Sequence, residues 1–442
     1  MIKKVVVILI TIFSCSSFAQ QGTASPYSFY GIGSLKFKGT VENRMMGGIS
    51  VYMDSIHLNL RNPASYAGKN IEAAPYDGES RPVKFAVAGT FNTLNLKTNN
   101  SKESTSTAVF DYIALSFPAG KLGFGFGLLP FTSVGYKLQD TDDDGNLLNR
   151  YQGEGGLNKA YFGVGYQLSP KFRIGADVNY NFGRIENSAL AFVYNEDGEL
   201  VQFQTSENNR SDLSGLNINF GAIYKTKISD KLDFSATATF APESNLSSEN
   251  QRSISTVAVN GNGDEFVQDT IEVELDNGSQ NLRETDLSLP YRLSFGAGIG
   301  EAQKWFIGAE YEAQNTSVYA NPLITDSGTE FENASRISIG GFYLPDYNSF
   351  SKYLNRVVYR AGFNFGNSGL VVNNESINEF GMSFGLGLPV GANLGGVFSE
   401  LNVGFEYGQR GTTDSNLVKE NFFNLNLSLS LSDRWFRKRK YN

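Results

Sequence analysis

What the chain lacks narrows its class first. Of its 442 residues one is cysteine, Cys15, and one is histidine, His57. Cys15 falls in a leader. Lys3 and Lys4 precede an apolar run from Val5 to Phe13, and Ser17-Phe18-Ala19 precede Gln20. That pattern predicts a secretory signal peptide over residues 1–20, cleaved near Ala19 and too short to span a bilayer. A lipoprotein reading that uses Cys15 is disfavoured, because Phe13 fits that cleavage pattern poorly. The mature chain is then free of cysteine, which excludes a disulfide framework, a thiolate metal site and a cysteine nucleophile. Cations are also short. Lys and Arg total 37 against 45 Asp and Glu, a formal charge of −8 that becomes −10 once Lys3 and Lys4 are removed. An acidic chain of this kind is a poor partner for nucleic acid. No later stretch approaches about eighteen consecutive apolar residues, so no transmembrane helix is expected.

What is present is glycine (47), phenylalanine (34) and tyrosine (22), with only 12 prolines. Period-2 alternation recurs from residue 83 onward and no amphipathic helix stands out. The alternation predicts strands at 83–97, 108–117, 122–137, 158–168, 172–186, 213–227, 232–241, 287–300, 304–315, 335–343, 357–366, 378–388, 398–409 and 421–432, about fourteen in all. Their connections follow a beat. Pro118–Lys121, Ser169–Lys171, Ser229–Lys231 and Glu301–Gln303 are tight, whereas 138–157, 187–212, 242–286 and 316–334 are long and polar. Only 344–356 is longer than a turn on the tight side. Short turns at one end and long loops at the other are the habit of an outer-membrane barrel.

The two faces of each strand agree with that reading. Phe172, Ile174, Ala176, Val178, Tyr180 and Phe182 alternate with Arg173, Gly175, Asp177, Asn179 and Asn181. Leu289, Tyr291, Leu293, Phe295, Ala297 and Ile299 form a second uncharged face, and Leu401, Val403, Phe405 and Tyr407 a third. A charge facing lipid near the midplane costs about 2–4 kcal/mol, which explains the exclusion. The fold class expected is all-β: a transmembrane antiparallel β-barrel over 83–432, in contact with outer-membrane lipid. Residues 21–82 form an N-terminal hatch or plug for a lumen wider than its own side chains can fill. Residues 433–442 form a periplasmic basic tail with Arg437, Lys438, Arg439 and Lys440. The last strand, Phe423 to Leu431 facing lipid and Asn424 to Ser432 facing the lumen, must pair with the first so that no edge remains. Trp435 would sit at the inner interface.

At this point the chain resembles the FadL/OMPP1/TodX family of outer-membrane transport proteins. "MMGGISVYMDSIHLNLRNPASYAG" (45–68) is similar to that family's hatch, with Gly47-Gly48 and then Asn62-Pro63-Ala64. "LPYRLSFGAGI" and "WFIGAEYE" are similar to the strand pair after its large outer loop. "SPYSFYGIG", "EFGMSFGLGLPVG" and "LSDRWFRKRKY" resemble the Bacteroidota branch. The resemblance implies passage of a hydrophobic, fatty-acid-like molecule from the outer loops to a pocket above the hatch. It also implies a lateral exit at a kink in the third strand, for which Pro130 between Gly127 and Gly135 is the candidate. The same branch includes barrels attached to the type IX secretion translocon. The alternative is therefore a non-transporting accessory or plug subunit of a larger secretion complex. Related barrels have their last strand read by the barrel-assembly machinery, which is expected as a partner during biogenesis.

Four cations and four anions fall on inward faces: Arg173, Arg292, Arg336 and Arg360 with Asp177, Glu310, Glu312 and Glu406. An unpaired buried charge costs several kcal/mol, so these are expected to pair, filling the lumen and seating the hatch. Asp140, Asp142 and Asp144 have the spacing of the first half of a calcium loop. Tyr151 stands where such a loop needs a bidentate Glu, so a solvated turn is the simpler reading. His57 follows Asp54 and Ser55, but sequence neighbours rarely converge as a catalytic triad and no strand carries a histidine. The sequence therefore points to no enzyme activity and to no cofactor.

Overall fold

The computed structural model describes residues 22–71, 78–142, 144–260, 263–276, 281–316, 329–390, 398–433 and 435. The leader and the basic residues 437–440 lie outside the described residues. One closed antiparallel barrel of fourteen strands dominates. In chain order these are β1 (Val83–Lys97), β2 (Lys102–Ala119), β3 (Leu122–Pro130, then Thr132–Thr141), β4 (Leu147–Gln167) and β5 (Phe172–Ala191). There follow β6 (Gln204–Lys227), β7 (Leu232–Ala241, then Ser244–Val259), β8 (Glu265–Val273, Glu284–Leu289 and Arg292–Glu301), β9 (Trp305–Gln314) and β10 (Thr329–Phe331, then Ala334–Tyr343). The circuit ends with β11 (Val358–Val372), β12 (Glu375–Pro389), β13 (Phe398–Arg410) and β14 (Lys419–Asp433).

β14 closes on β1 in an unbroken register from Val83↔Asp433 to Lys97↔Lys419. Phe423 is exposed on the outside of this seam, while Asn426, Ser428, Ser430 and Ser432 are buried inside it. Large apolar side chains such as Val178, Phe220, Ile307, Ile339, Phe363 and Phe405 are exposed around the exterior, where lipid replaces water as their neighbour. Trp435 meets Phe117 in a tilted ring contact, with ring centroids 5.5 Å apart.

The strands run further than the apolar alternation does. β3 and β4 continue to a turn near residue 142, so most of the expected loop 138–157 is paired strand. Much of 187–212 and 242–286 is likewise paired, β7 and β8 forming a hairpin from Arg252↔Val273 to Val259↔Glu265. The apolar signature stops where lipid stops, but backbone pairing does not need it. A second departure concerns Leu289, expected on the lipid face. It is buried inside with Leu246 and Leu287, because β8 breaks at Pro290 and the phase of its faces resets there. A third concerns 122–137, which is interrupted at Phe131 rather than continuous.

Candidate functional site: the hatch and the spaces on either side of it

Residues 22–71 run through the lumen from its outer end to the end bearing the tight turns. Near the outer end Ser25 Oγ donates to Glu420 at 2.5 Å, and Gly135 N donates to Ser28 Oγ at 3.0 Å. The chain then adds a two-residue strand, Ser34–Leu35, to the upper half of β3, pairing Ser34↔Ser133 and Leu35↔Thr132. That addition covers a break in the wall. β2 and β3 are paired only up to Ile113↔Leu128, and beyond it Thr132–Thr141 pairs with β4 instead. Pro130 ends the lower segment, and Phe131 N reaches back to Leu157 O at 2.7 Å. Gly127 packs against Ile113 and Tyr161, and Gly135 against the carbonyl of Thr23.

Below this the hatch turns through one helical turn, Val41–Arg44, capped by Thr40 and Asn43 in a reciprocal capping box. Gly47 and Gly48 follow with φ of 71° and 90°, a region that favours glycine. Gly47 lies so near the carbonyls of Ile339 and Phe363 that a Cβ would clash. Gly340 and Gly362 of the wall meet the backbone of Met46 and Gly47 in the same way. Hatch and wall thus approach backbone to backbone. Asn62 accepts from Ala64 N at 3.0 Å and donates to Ala222 O at 3.2 Å, holding Pro63–Tyr66 against β4, β5 and β6.

Charge fastens the rest. Arg61 bonds Glu310 at 2.7 Å and Glu312 at 2.6 Å. Lys38 faces Asp177 at 3.5 Å, and Arg44 donates to Asn426 at 2.6 Å. Phe37 lies between Arg44 and Arg61, their guanidinium carbons 5.1 and 5.7 Å from its ring centre. Of the eight luminal charges picked from sequence, Arg360 pairs with Glu400 at 2.7 Å and Arg336 with Glu379 at 3.2 Å. Glu406 accepts from Asn424 at 2.9 Å, Arg173 contacts the sulfur of Met53 at 3.4 Å, and Arg292 lines the outer cavity near Glu312. The strand charges therefore meet hatch residues and a second set of carboxylates more than one another. Alternation missed Arg61, Lys38, Glu42 and His57, which lie in irregular hatch backbone. It also passed over Glu400, which shares the inward phase of Asn402 and Glu406.

Two spaces flank the hatch. The outer one, about 360 Å³, is lined by Lys36, Arg44, Arg61, Glu312, Glu379, Arg410 and Glu420 and also by Ile32, Leu35, Phe37, Leu370 and Phe422, a wall that mixes charged and apolar side chains. The inner one, about 150 Å³, is more apolar, with Met46, Met53, Leu58, Phe306, Phe342 and Val358 facing it. The apolar side chains that do converge in the outer lumen, including Val134, Leu157, Leu213 and Leu246, are already packed against Phe29 and Ile32. Asp140 lies at the end of β3, opposite Asn149, and Asp142 and Asp144 in the turn that follows; the three form no metal-ligating group among the described residues. Asp142 instead caps Asp144 and Asn146.

A fourteen-stranded barrel with an apolar exterior belt, polar lumen and threaded N-terminal hatch defines the class: an outer-membrane β-barrel of FadL/TodX architecture. Within that class the chain belongs to the BamG family, whose sequence model matches residues 1–442. No functionally curated protein matches it. Among solved structures it is similar to a Pseudomonas aeruginosa FadL homologue, at TM-score 0.55 and 10% identity over 92% of this chain and 99% of that one. The Pseudomonas putida toluene transporter TodX gives 0.54 and 15% over 91% and 100%. The Ralstonia pickettii toluene transporter TbuX gives 0.52 and 12% over 90% and 100%. At these identities the likeness establishes the fold.

Proposed function

We propose that this chain is a plugged FadL-type barrel serving as an accessory subunit of a larger outer-membrane assembly. The observation that carries the reading is the outer lumen. A receptor for hydrophobic molecules needs a vacant apolar pocket above its hatch. Here charged side chains such as Arg44, Arg61, Glu379 and Arg410 interrupt the apolar lining of that space, and the apolar cluster of Val134, Leu157, Leu213 and Leu246 beside it is occupied by the chain's own Phe29 and Ile32. The turn between β10 and β11 offers a docking surface. Asp346 N donates to Asn355 O at 2.8 Å and Tyr353 Oη to Pro389 O at 3.1 Å, which holds Phe350 fully exposed and Leu354 beside it. An ordered turn that presents two bare apolar side chains suits a partner more than solvent. The partners expected are the barrel-assembly machinery or a secretion translocon.

A second reading is favoured by the break between β2 and β3. It gives the outer cavity, which Val109 and Leu35 also line, a path toward lipid. Passage of small hydrophobic molecules through that gap would match the transport named for TodX and TbuX. Affinity purification from native membranes, with mass spectrometry of proteins and lipids, separates the two. A stoichiometric large partner with no ligand supports the accessory reading. A lone barrel carrying a fatty acid or hydrocarbon sinks it.

A further inference from the structure

We infer that the hatch is locked to the barrel wall by a divalent transition-metal cation held by Glu42, His57 and Glu400. This site is independent of the reading above. The three residues come from distant parts of the chain: Glu42 from the helical turn, His57 from the descending hatch, Glu400 from β13. One donor atom of each lies within 4.8 Å of the others. His57 Nε2 stands 3.3 Å from Glu400 Oε1. A tetrahedral ion with bonds of about 2.0–2.1 Å spans a donor–donor edge of about 3.3 Å.

Two further observations point to a ligand. Glu42 is only 5% exposed, and its Oε1 accepts from Ser430 Oγ at 2.5 Å and Asn402 Nδ2 at 3.0 Å. Its Oε2, equally buried, accepts no hydrogen bond among the described residues. A carboxylate oxygen left bare in this way carries a desolvation cost that a cation removes. The other side of the imidazole is also prepared. Asp54 Oδ2 contacts His57 Nδ1 at 2.5 Å, the carboxylate–histidine arrangement that orients a metal-binding ring and leaves Nε2 to the ion. Arg360 holds Glu400 Oε1 at 2.7 Å and remains its outer partner. The inner cavity borders all three ligands, so water can complete the shell and the ion can enter from the tight-turn end. One imidazole with two carboxylates and no thiolate suits zinc or a neighbouring first-row ion.

The test uses the whole folded chain in detergent micelles, stripped with EDTA and titrated calorimetrically with Zn²⁺. One ion per chain is expected. Glu42→Gln is expected to weaken binding by at least about a hundred-fold, and Asp54→Asn by about 10–100-fold, the range for an outer-shell partner. Each variant must keep the heat-modifiable gel mobility of a folded barrel. X-ray absorption on the loaded protein should give a mixed nitrogen and oxygen shell. Absence of saturable one-to-one binding, unchanged affinity in folded Glu42→Gln, or an all-oxygen shell overturns the inference.

Discussion

Arg61 of the hatch reaches both Glu310 and Glu312 of β9, at 2.7 and 2.6 Å, and also bonds the carbonyl of Gly48. Residues 310 and 312 share one face of their strand, so a single guanidinium spans successive inward positions. Replacing Arg61 with Met strands two carboxylates in the lumen. Removing one partner of a buried pair costs about 3–5 kcal/mol, so the hatch should loosen while the barrel persists. Limited proteolysis in micelles should release the segment near residues 40–60. Adding Glu310→Gln and Glu312→Gln should restore protection. A hatch equally protected in Arg61→Met would show that the ion pairs do not hold it.

The backbone contact at Gly362 and Gly340 makes a separate prediction. A Val at Gly362 would collide with the backbone of Met46 and Gly47, which no side-chain rotamer relieves. The expected outcome is a folded barrel with a displaced hatch, seen as raised single-channel conductance in planar bilayers. Gly381→Val is the control. It is also a wall glycine, but the nearest neighbour of a Cβ there is the side chain of Asn364 rather than backbone.

Much of the barrel was legible from period 2 alone, and its limits are instructive. Strand number, the closing role of Phe423 to Leu431 and the inward Asn and Ser positions follow from alternation, because lipid and lumen impose opposite demands on neighbouring residues. The polar extensions of β4, β6 and β7 look like loops in the sequence, since outside the bilayer neither face must be apolar. Leu289 falls in phase with the lipid face in the sequence, because Pro290 resets the phase without disturbing the local pattern. The partners of Arg336 and Arg360 were out of reach. Glu379 and Glu400 come from β12 and β13, and nothing in one sequence says which inward charges converge. The hatch resisted most, since its folds are set by wall contacts such as Asn62 to Ala222 rather than by local periodicity.

The Ser34–Leu35 strand can be tested by cross-linking. The described chain has no cysteine, so Leu35→Cys with Thr132→Cys places one designed pair on directly opposed residues of an antiparallel ladder. Opposed Cα atoms there lie about 4.5–5.5 Å apart, within disulfide range. The pair should oxidise during export and shift mobility on a non-reducing gel. The bond also separates the two functions. A barrel that releases hydrophobic molecules through the β2–β3 break loses uptake until reduced, whereas an accessory subunit keeps its partner and its support of growth.

The exterior assignment makes the final prediction. Phe405 of β13 lies between Phe384 and Leu425 across the sheet and is exposed in a protein whose exterior there is uniformly apolar. In lipid an arginine at that point costs about 2–4 kcal/mol if it lies near the midplane. Phe405→Arg should therefore lower the yield of heat-modifiable barrel in the outer membrane. Gln268→Arg on the polar β7–β8 hairpin, beyond the apolar belt, should leave the yield unchanged, because an exposed surface substitution is worth within about 0.5 kcal/mol. Equal loss from both would mean that the hairpin also lies in lipid. No loss from Phe405→Arg would mean that this face is covered by a protein partner able to pair the charge, and would place the docking surface on the barrel wall at β13 rather than on the turn that carries Phe350.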